Sequence, residues 1–204
     1  MNRVLPLWAG ALATILLSFA GMVVLPNWQV RHAGAVEIVD QAGETTVYPP
    51  ALELSWEAPG RQVYIAQGCI YCHSQQVRPA GSGSDIERGW GERRSVPRDY
   101  LLHDPPLLGT MRTGPDLANI GARQPDRDWH HVHLYDARLV SPGSIMPPFR
   151  FLYQLRHRDP GAAGVRLPDR PGQQPAWIVP RPEARDLVAY VQTLHQDHRL
   201  EQVQ

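Results

Sequence analysis

The sequence predicts an all-α domain with long irregular loops, preceded by a single N-terminal transmembrane helix. Three observations predict it. An uncharged apolar run opens the chain, three later segments read as helices, and 20 Pro and 17 Gly crowd the stretches between them. The division is residues 1–30 as anchor, 31–57 as an extended connector and 58–204 as the domain.

The anchor comes first. No charged residue lies between Val4 and Val30. Its most apolar part, Val4–Leu25, matches the roughly 30 Å of a bilayer's hydrocarbon core. Pro6 is tolerable in a first helical turn. Trp8 and Trp28 lie near the two ends, where interfacial aromatics sit. A cleaved signal peptide is the rival, and His32-Ala33-Gly34-Ala35 offers small residues for cleavage. Signal cores of about 7–15 apolar residues are shorter than this one, so length favours an anchor. Arg3 and Arg31 flank the run and hardly decide its orientation.

In the connector, Ala35–Val39 alternates weakly and suits a short strand, and Tyr48-Pro49-Pro50 breaks any helix. Residues 60–72 read as a helix begun at Pro59-Gly60. Residues 78–113 form a Gly-, Arg- and Pro-rich excursion anchored by Trp90, Tyr100, Leu101 and Leu102. Asp126 to Arg138 reads as a short amphipathic helix with Trp129, Val132 and His133 on one face. Residues 159–182 read as irregular. Glu183 to His198 reads as a helix, with Leu187, Val188, Val191 and Leu194 on one stripe and Pro182 at its start.

Composition excludes some classes. Twenty basic and 20 acidic residues cancel, which argues against a nucleic-acid partner. Every basic residue is Arg. The two cysteines, Cys69 and Cys72, are too few and too close for a disulfide framework.

Cys69-Ile70-Tyr71-Cys72-His73 is a haem-attachment sequence: two thiols for two vinyl groups, then a histidine held beneath the iron. It also implies an extracytoplasmic site. A redox dithiol would need a thioredoxin-like βαβ context, and a zinc site two further ligands at suitable spacing. Gly114-Pro115-Asp116-Leu117 is similar to the loop that lies against the proximal histidine in class I cytochromes c. There the Pro carbonyl accepts the His Nδ1–H and fixes the ring. Met146, in Ser144-Ile145-Met146-Pro147, is the candidate sixth ligand, because Pro147 stiffens its loop. Met111 is too close in sequence to Gly114 to reach the other face. A His/Met iron is six-coordinate with no open position, which suits electron transfer and not oxygen activation.

Other residues carry less. Arg78 and Arg112 are candidate partners for haem propionates, or plain surface arginines. Asp116 suits a turn cap. His130, His131 and His133 read as solvated or packed helix residues rather than a ligand set. Arg93-Arg94 reads as a solvated face.

The stretch from Gly68-Cys69-Ile70-Tyr71-Cys72-His73-Ser74-Gln75-Gln76-Val77-Arg78-Pro79 onward resembles the mono-haem subunit of cbb3-type cytochrome c oxidases, the CcoO or FixO family. Arg112–Ala118, Trp129–Leu134 and Pro142–Pro147 continue the resemblance, which covers roughly residues 55–155. It departs between Pro79 and Arg112, at Pro148 and across 155–182. The resemblance implies a class I cytochrome c domain with one covalent haem c on Cys69 and Cys72, ligated by His73 and Met146. It implies a single-pass protein of the bacterial cytoplasmic membrane with its haem domain on the periplasmic side. It also implies two partners: a polytopic haem–copper catalytic subunit, and another cytochrome c subunit or soluble cytochrome as donor. The alternatives are the cytochrome c subunit of a nitric oxide reductase, a tethered shuttle, and a haem-based sensor. Ser74-Gln75 and Arg78-Pro79 favour the oxidase, and the long excursion suits a docking surface.

Overall fold

The computed structural model describes residues 4–32, 34, 36–39, 45–48, 57–101, 103 and 105–196. Arg3, Ala33, Ala35, Pro49-Pro50, Leu102 and residues 197–198 of the last expected helix lie outside them. The chain forms two compact units, residues 1–51 with 96–104, and residues 52–95 with 105–204.

In the first unit, Val4–Val30 forms a helix of 27 residues whose most apolar 18-residue stretch has a mean hydropathy of 2.0 and no buried residue. It is long and apolar enough to cross a membrane. It comprises α1 (Val4–Phe19), a π turn (Ala20–Val24) and the start of α2 (Leu25–His32). The π turn has a local cause. Pro26 has no N–H for the preceding turn, and its ring crowds the carbonyl four residues back. The helix widens there, and the Leu25 N–H bonds the Ala20 carbonyl five residues earlier. Beyond it, β1 (Val36–Val39) and β2 (Thr45–Tyr48) form an antiparallel hairpin pairing Val36 with Tyr48. The expected short strand is β1.

The second unit is built around two crossing helices, α3 (Glu57–Ala66) and α6 (Pro182–Gln192). Gly60 lets them touch. A Cβ there would meet the Asp186 carbonyl and would lie 2.7 Å from Tyr190 Cβ. Tyr64 and Tyr190 complete the crossing edge-to-face, 5.6 Å between centroids. Leu187 and Val188 are buried on the stripe that the periodicity marks, but α6 ends at Gln192, short of the expected His198, and the buried Leu194 lies beyond it. Against them pack α4 (Ile120–Arg123) and α5 (Arg127–Tyr135). Asp126 caps α5 by accepting the Asp128 and Trp129 N–H groups.

Three expectations need correction. The unit is not purely all-α: β3 (Tyr153–Arg156) and β4 (Val165–Arg166) both pair antiparallel with β5 (Trp177–Pro180), in the order β3-β5-β4. Two of these strands lie in the 159–182 stretch read as irregular. They are too short to show alternation, yet they bury Val165 and Ile178, as β3 buries Tyr153. The helix expected over 60–72 ends at Ala66, because Gly68 turns left-handed at φ 72°. Arg93 does not lie on a solvated face; it is 6% exposed, with Nη1 donating to the Arg94 carbonyl.

Candidate functional site

The Cys-x-x-Cys-His segment owes its shape to the turn that ends α3. After Gly68, Cys69–Tyr71 winds as a 3₁₀ turn, and both the Cys72 and His73 N–H groups return to the Cys69 carbonyl, at 3.2 and 2.9 Å. One tight turn thus brings Cys69, Cys72 and His73 onto a single cavity of about 630 Å³. That volume falls in the range of cofactor pockets. Thr113, Gly114 and Pro115 form part of its wall, as do Met146 and Pro147. Leu117, Ile120, Leu134, Leu187 and Val191 make the lining mostly apolar.

The imidazole of His73 is oriented by its neighbours. Its Nδ1 lies 2.7 Å from the Pro115 carbonyl oxygen. A carbonyl only accepts, so Nδ1 carries the hydrogen and Nε2 keeps its lone pair in the neutral ring. Burial, outweighing the Pro115 bond, holds the ring below its ordinary pKa and so favours the neutral form. Gly114 is what allows the close approach. A Cβ there would lie 2.8 Å from Nδ1 and 2.9 Å from Nε2, and closer still to Cε1. The Gly114 N–H is bonded to the Cys72 carbonyl at 2.9 Å, so the two segments are also stitched by backbone. The thiols are free, Cys69 half-buried and Cys72 exposed, and burial pushes Cys69 up to about 11.

Residues around the motif act as braces. Asp116 is fully buried; it accepts the Ser74 hydroxyl at 2.6 Å, the Gln76 N–H at 2.8 Å and the Ala118 N–H at 2.9 Å. The last bond is the turn cap expected of Asp116. Gln75 Nε2 donates to the Tyr190 hydroxyl at 3.1 Å and ties the motif to α6. Arg78 and Arg112, candidates for propionate pairing, are engaged elsewhere. Both grip the fully buried carboxylate of Asp85: Arg78 through its N–H at 2.8 Å and Nη2 at 2.9 Å, Arg112 through Nη1. Arg112 also donates to Ser74 Oγ at 2.8 Å and to the Gln76 carbonyl. Burial pushes Asp85 up, but the Arg78 side chain, the Arg78 N–H and Arg112 outweigh it and hold it below the usual carboxylate range.

The arginine on the cavity wall is Arg123, with one Nη on the Asp116 carbonyl and a buried Nε that has no hydrogen-bond partner. His133 is also on the wall, stacked on Trp129 at 4.6 Å, with its buried Nδ1 unpartnered. Burial, with His130 and His73 nearby, holds it down to about 4. Unpartnered buried donors are uncommon in folded proteins. Three residues that line the one cavity, Tyr64, Arg123 and His133, carry such a buried polar atom. Sequence reasoning missed Arg123 and His133: Arg123 sits in a short helix with no motif of its own, and His133 read as one of three helix histidines. His130 and His131 are packed, on the Gln124 carbonyl at 2.8 Å and the Tyr153 hydroxyl at 3.2 Å. Among the described residues no cluster of three His, Cys, Asp or Glu could hold a bare metal ion.

Met146 is half-buried and packed against the core. Its N–H is bonded to Ser144 Oγ at 3.2 Å. Met111 is 58% exposed and does not line the cavity.

No curated protein matches the chain. The family model described as "Cytochrome C oxidase, mono-heme subunit/FixO" matches residues 7–163. With the Cys-His turn and Met146 set on one cavity, and more than half of its length matched, the chain belongs to the FixO family of mono-haem cytochrome c oxidase subunits.

Proposed function

We propose that this chain is the electron-relay subunit of a cbb3-type-like haem–copper oxidase, taking single electrons from a donor cytochrome c and passing them to a polytopic catalytic subunit. One observation carries the reading. The His73 Nδ1–H is committed to the Pro115 carbonyl, so Nε2 is the ligating nitrogen, on a cavity that also holds Cys69, Cys72 and Met146.

In this reading Cys69 and Cys72 attach one haem c through thioether bonds, and His73 and Met146 ligate its iron. Arg123, on the cavity wall, is the cation placed to pair with a haem carboxylate. When bound, the haem supplies a one-electron iron couple. The chain's own residues do the rest. Pro115 raises the basicity of His73, Met146 fills the sixth position, and the apolar wall from Leu117 to Val191 excludes water. Arg78 and Arg112 serve the site indirectly, by holding Asp85 and Ser74. The Val4–Val30 helix anchors the chain in the bacterial cytoplasmic membrane, with the haem-bearing unit on the periplasmic side, where haem c is attached. The FixO match favours an oxidase over a nitric oxide reductase, and a complex over a tethered shuttle or a sensor.

The test is a detergent pull-down of the tagged protein from its native membrane, with a pyridine haemochrome spectrum and identification of the co-purified chains. Haem c together with haem b and a copper-bearing polytopic subunit supports the proposal. Haem b with non-haem iron in place of copper, or haem c alone after mild cross-linking, overturns it.

A further inference from the structure

Met146 sits in a loop whose two ends are fastened to each other. The Phe149 N–H donates to the Leu134 carbonyl at 2.9 Å. Asp136, 4% exposed, holds both ends by its carboxylate. One oxygen takes Arg138 Nε at 3.1 Å and the Arg138 N–H at 3.3 Å; the other takes an Nη of Arg150. Arg138 in turn points an Nη at the carbonyls of Ser144 and Met146, at 3.5 and 3.4 Å. Arg150 also lies over the Tyr135 ring, 5.6 Å from its centroid. Asp136 and Arg150 thus bracket the segment that carries Met146, and the intervening Pro142, Pro147 and Pro148 stiffen it.

We propose that Asp136, through Arg138 and Arg150, is the positioning residue that keeps Met146 seated as the sixth ligand and so sets how readily that position opens. The inference rests on Met146 being the ligand, and it goes beyond that reading by naming what holds the ligand in place. A thioether is a weak ligand, so its occupancy depends on how rarely the loop lifts. Lifting the loop separates the two ends that the Asp136 carboxylate joins. Charge-assisted hydrogen bonds to a buried carboxylate are the strongest fastening the loop has. Removing one of them raises the open fraction, and an external ligand reads that fraction directly through its apparent affinity.

The experiment titrates the ferric, full-length subunit in detergent with imidazole and follows the visible spectrum. Arg150→Gln, at a side chain 58% exposed to solvent, leaves haem content unchanged and binds imidazole about tenfold more tightly than the parent. Asp136→Asn goes further in the same direction, and Arg150→Lys recovers most of the parent value. Met146→Ala binds imidazole most tightly of all. If Asp136→Asn yields no holoprotein, Arg150→Gln decides alone. The clasp is wrong if Arg150→Gln and Asp136→Asn bind imidazole as the parent does while Met146→Ala binds it more tightly. If Met146→Ala itself matches the parent, the thioether is not the ligand and both readings fall. A Gly172→Ala variant, strained at φ 76° far along the chain, controls for general loss of stability. Tenfold tighter binding in that variant also overturns the clasp.

Discussion

Gly114→Ala puts one methyl group between the backbone and the His73 ring. The new Cβ would sit 2.8 Å from Nδ1, whereas ordinary contact begins near 3.4 Å, so the ring has to retreat by about 0.6 Å or more. It cannot do so freely, because Nδ1 is held at 2.7 Å from Pro115 O. Overpacking of this kind costs about 1–3 kcal/mol, and loss of the hydrogen bond adds about 1 kcal/mol. The expected destabilisation is therefore about 2–4 kcal/mol in guanidinium unfolding of the haem-loaded protein. Loss of the Pro115 acceptor also makes His73 a poorer donor to ferric iron, so the midpoint potential rises. Gly172→Ala is the control: φ is 76° with no atom within 4 Å, so it costs about 1 kcal/mol of backbone strain and leaves the potential alone. If Gly114→Ala stays within about 0.5 kcal/mol of the parent and keeps its potential, the close packing of His73 on Gly114 does not exist in solution.

Three further outcomes follow from the same structure. Met146→Ala keeps its haem covalently attached but opens the sixth position and lowers the potential; an unchanged ferrous spectrum and potential would show Met146 to be the wrong residue. Cys69→Ser lowers the yield of holoprotein in a haem-stain and pyridine haemochrome assay, and a parental yield contradicts attachment there. Asp85 is depressed in the folded state, so its contribution is complete above the ordinary carboxylate pKa of about 4 and is lost as pH falls through the lowered value. Asp85→Asn, which removes the carboxylate that Arg78 and Arg112 share, costs about 1–3 kcal/mol at neutral pH and flattens the acid limb of a stability-versus-pH curve; an acid limb identical to the parent's refutes the assignment.

The chemistry of this site lies close to the surface of the sequence, because much of it is local. Cys69, Cys72 and His73 are contiguous, and the turn that gathers them needs only Gly68. The α6 stripe was legible for a similar reason: Leu187, Val188 and Val191 are buried at regular helical spacing. What could not be read depended on distant partners. Ser74 and Gln75 gave a family signature but no hint that their side chains reach Asp116 and Tyr190. Arg78 and Arg112 looked available for an anionic ligand, yet Asp85 in the excursion takes both. Arg123 lines the cavity only because α4 packs beside α6. The β3-β5-β4 sheet was hidden by strand length. Only Trp177-Ile178-Val179, a β-favouring run, hinted at it amid prolines and glycines.

The crossing of α3 with α6 has a consequence for the order of events during biogenesis. The Cys-x-x-Cys-His motif precedes most of the unit, yet Gln75 pairs with Tyr190, 115 residues further along. Contacts of such long range close late, since the intervening chain must first surrender its loop entropy. The cysteines therefore emerge, and remain open to an attachment machinery, well before the helix that will cover them has been made. Were a haem attached there as proposed, it would be in place before the segment from Gly114 to α6 closes over it.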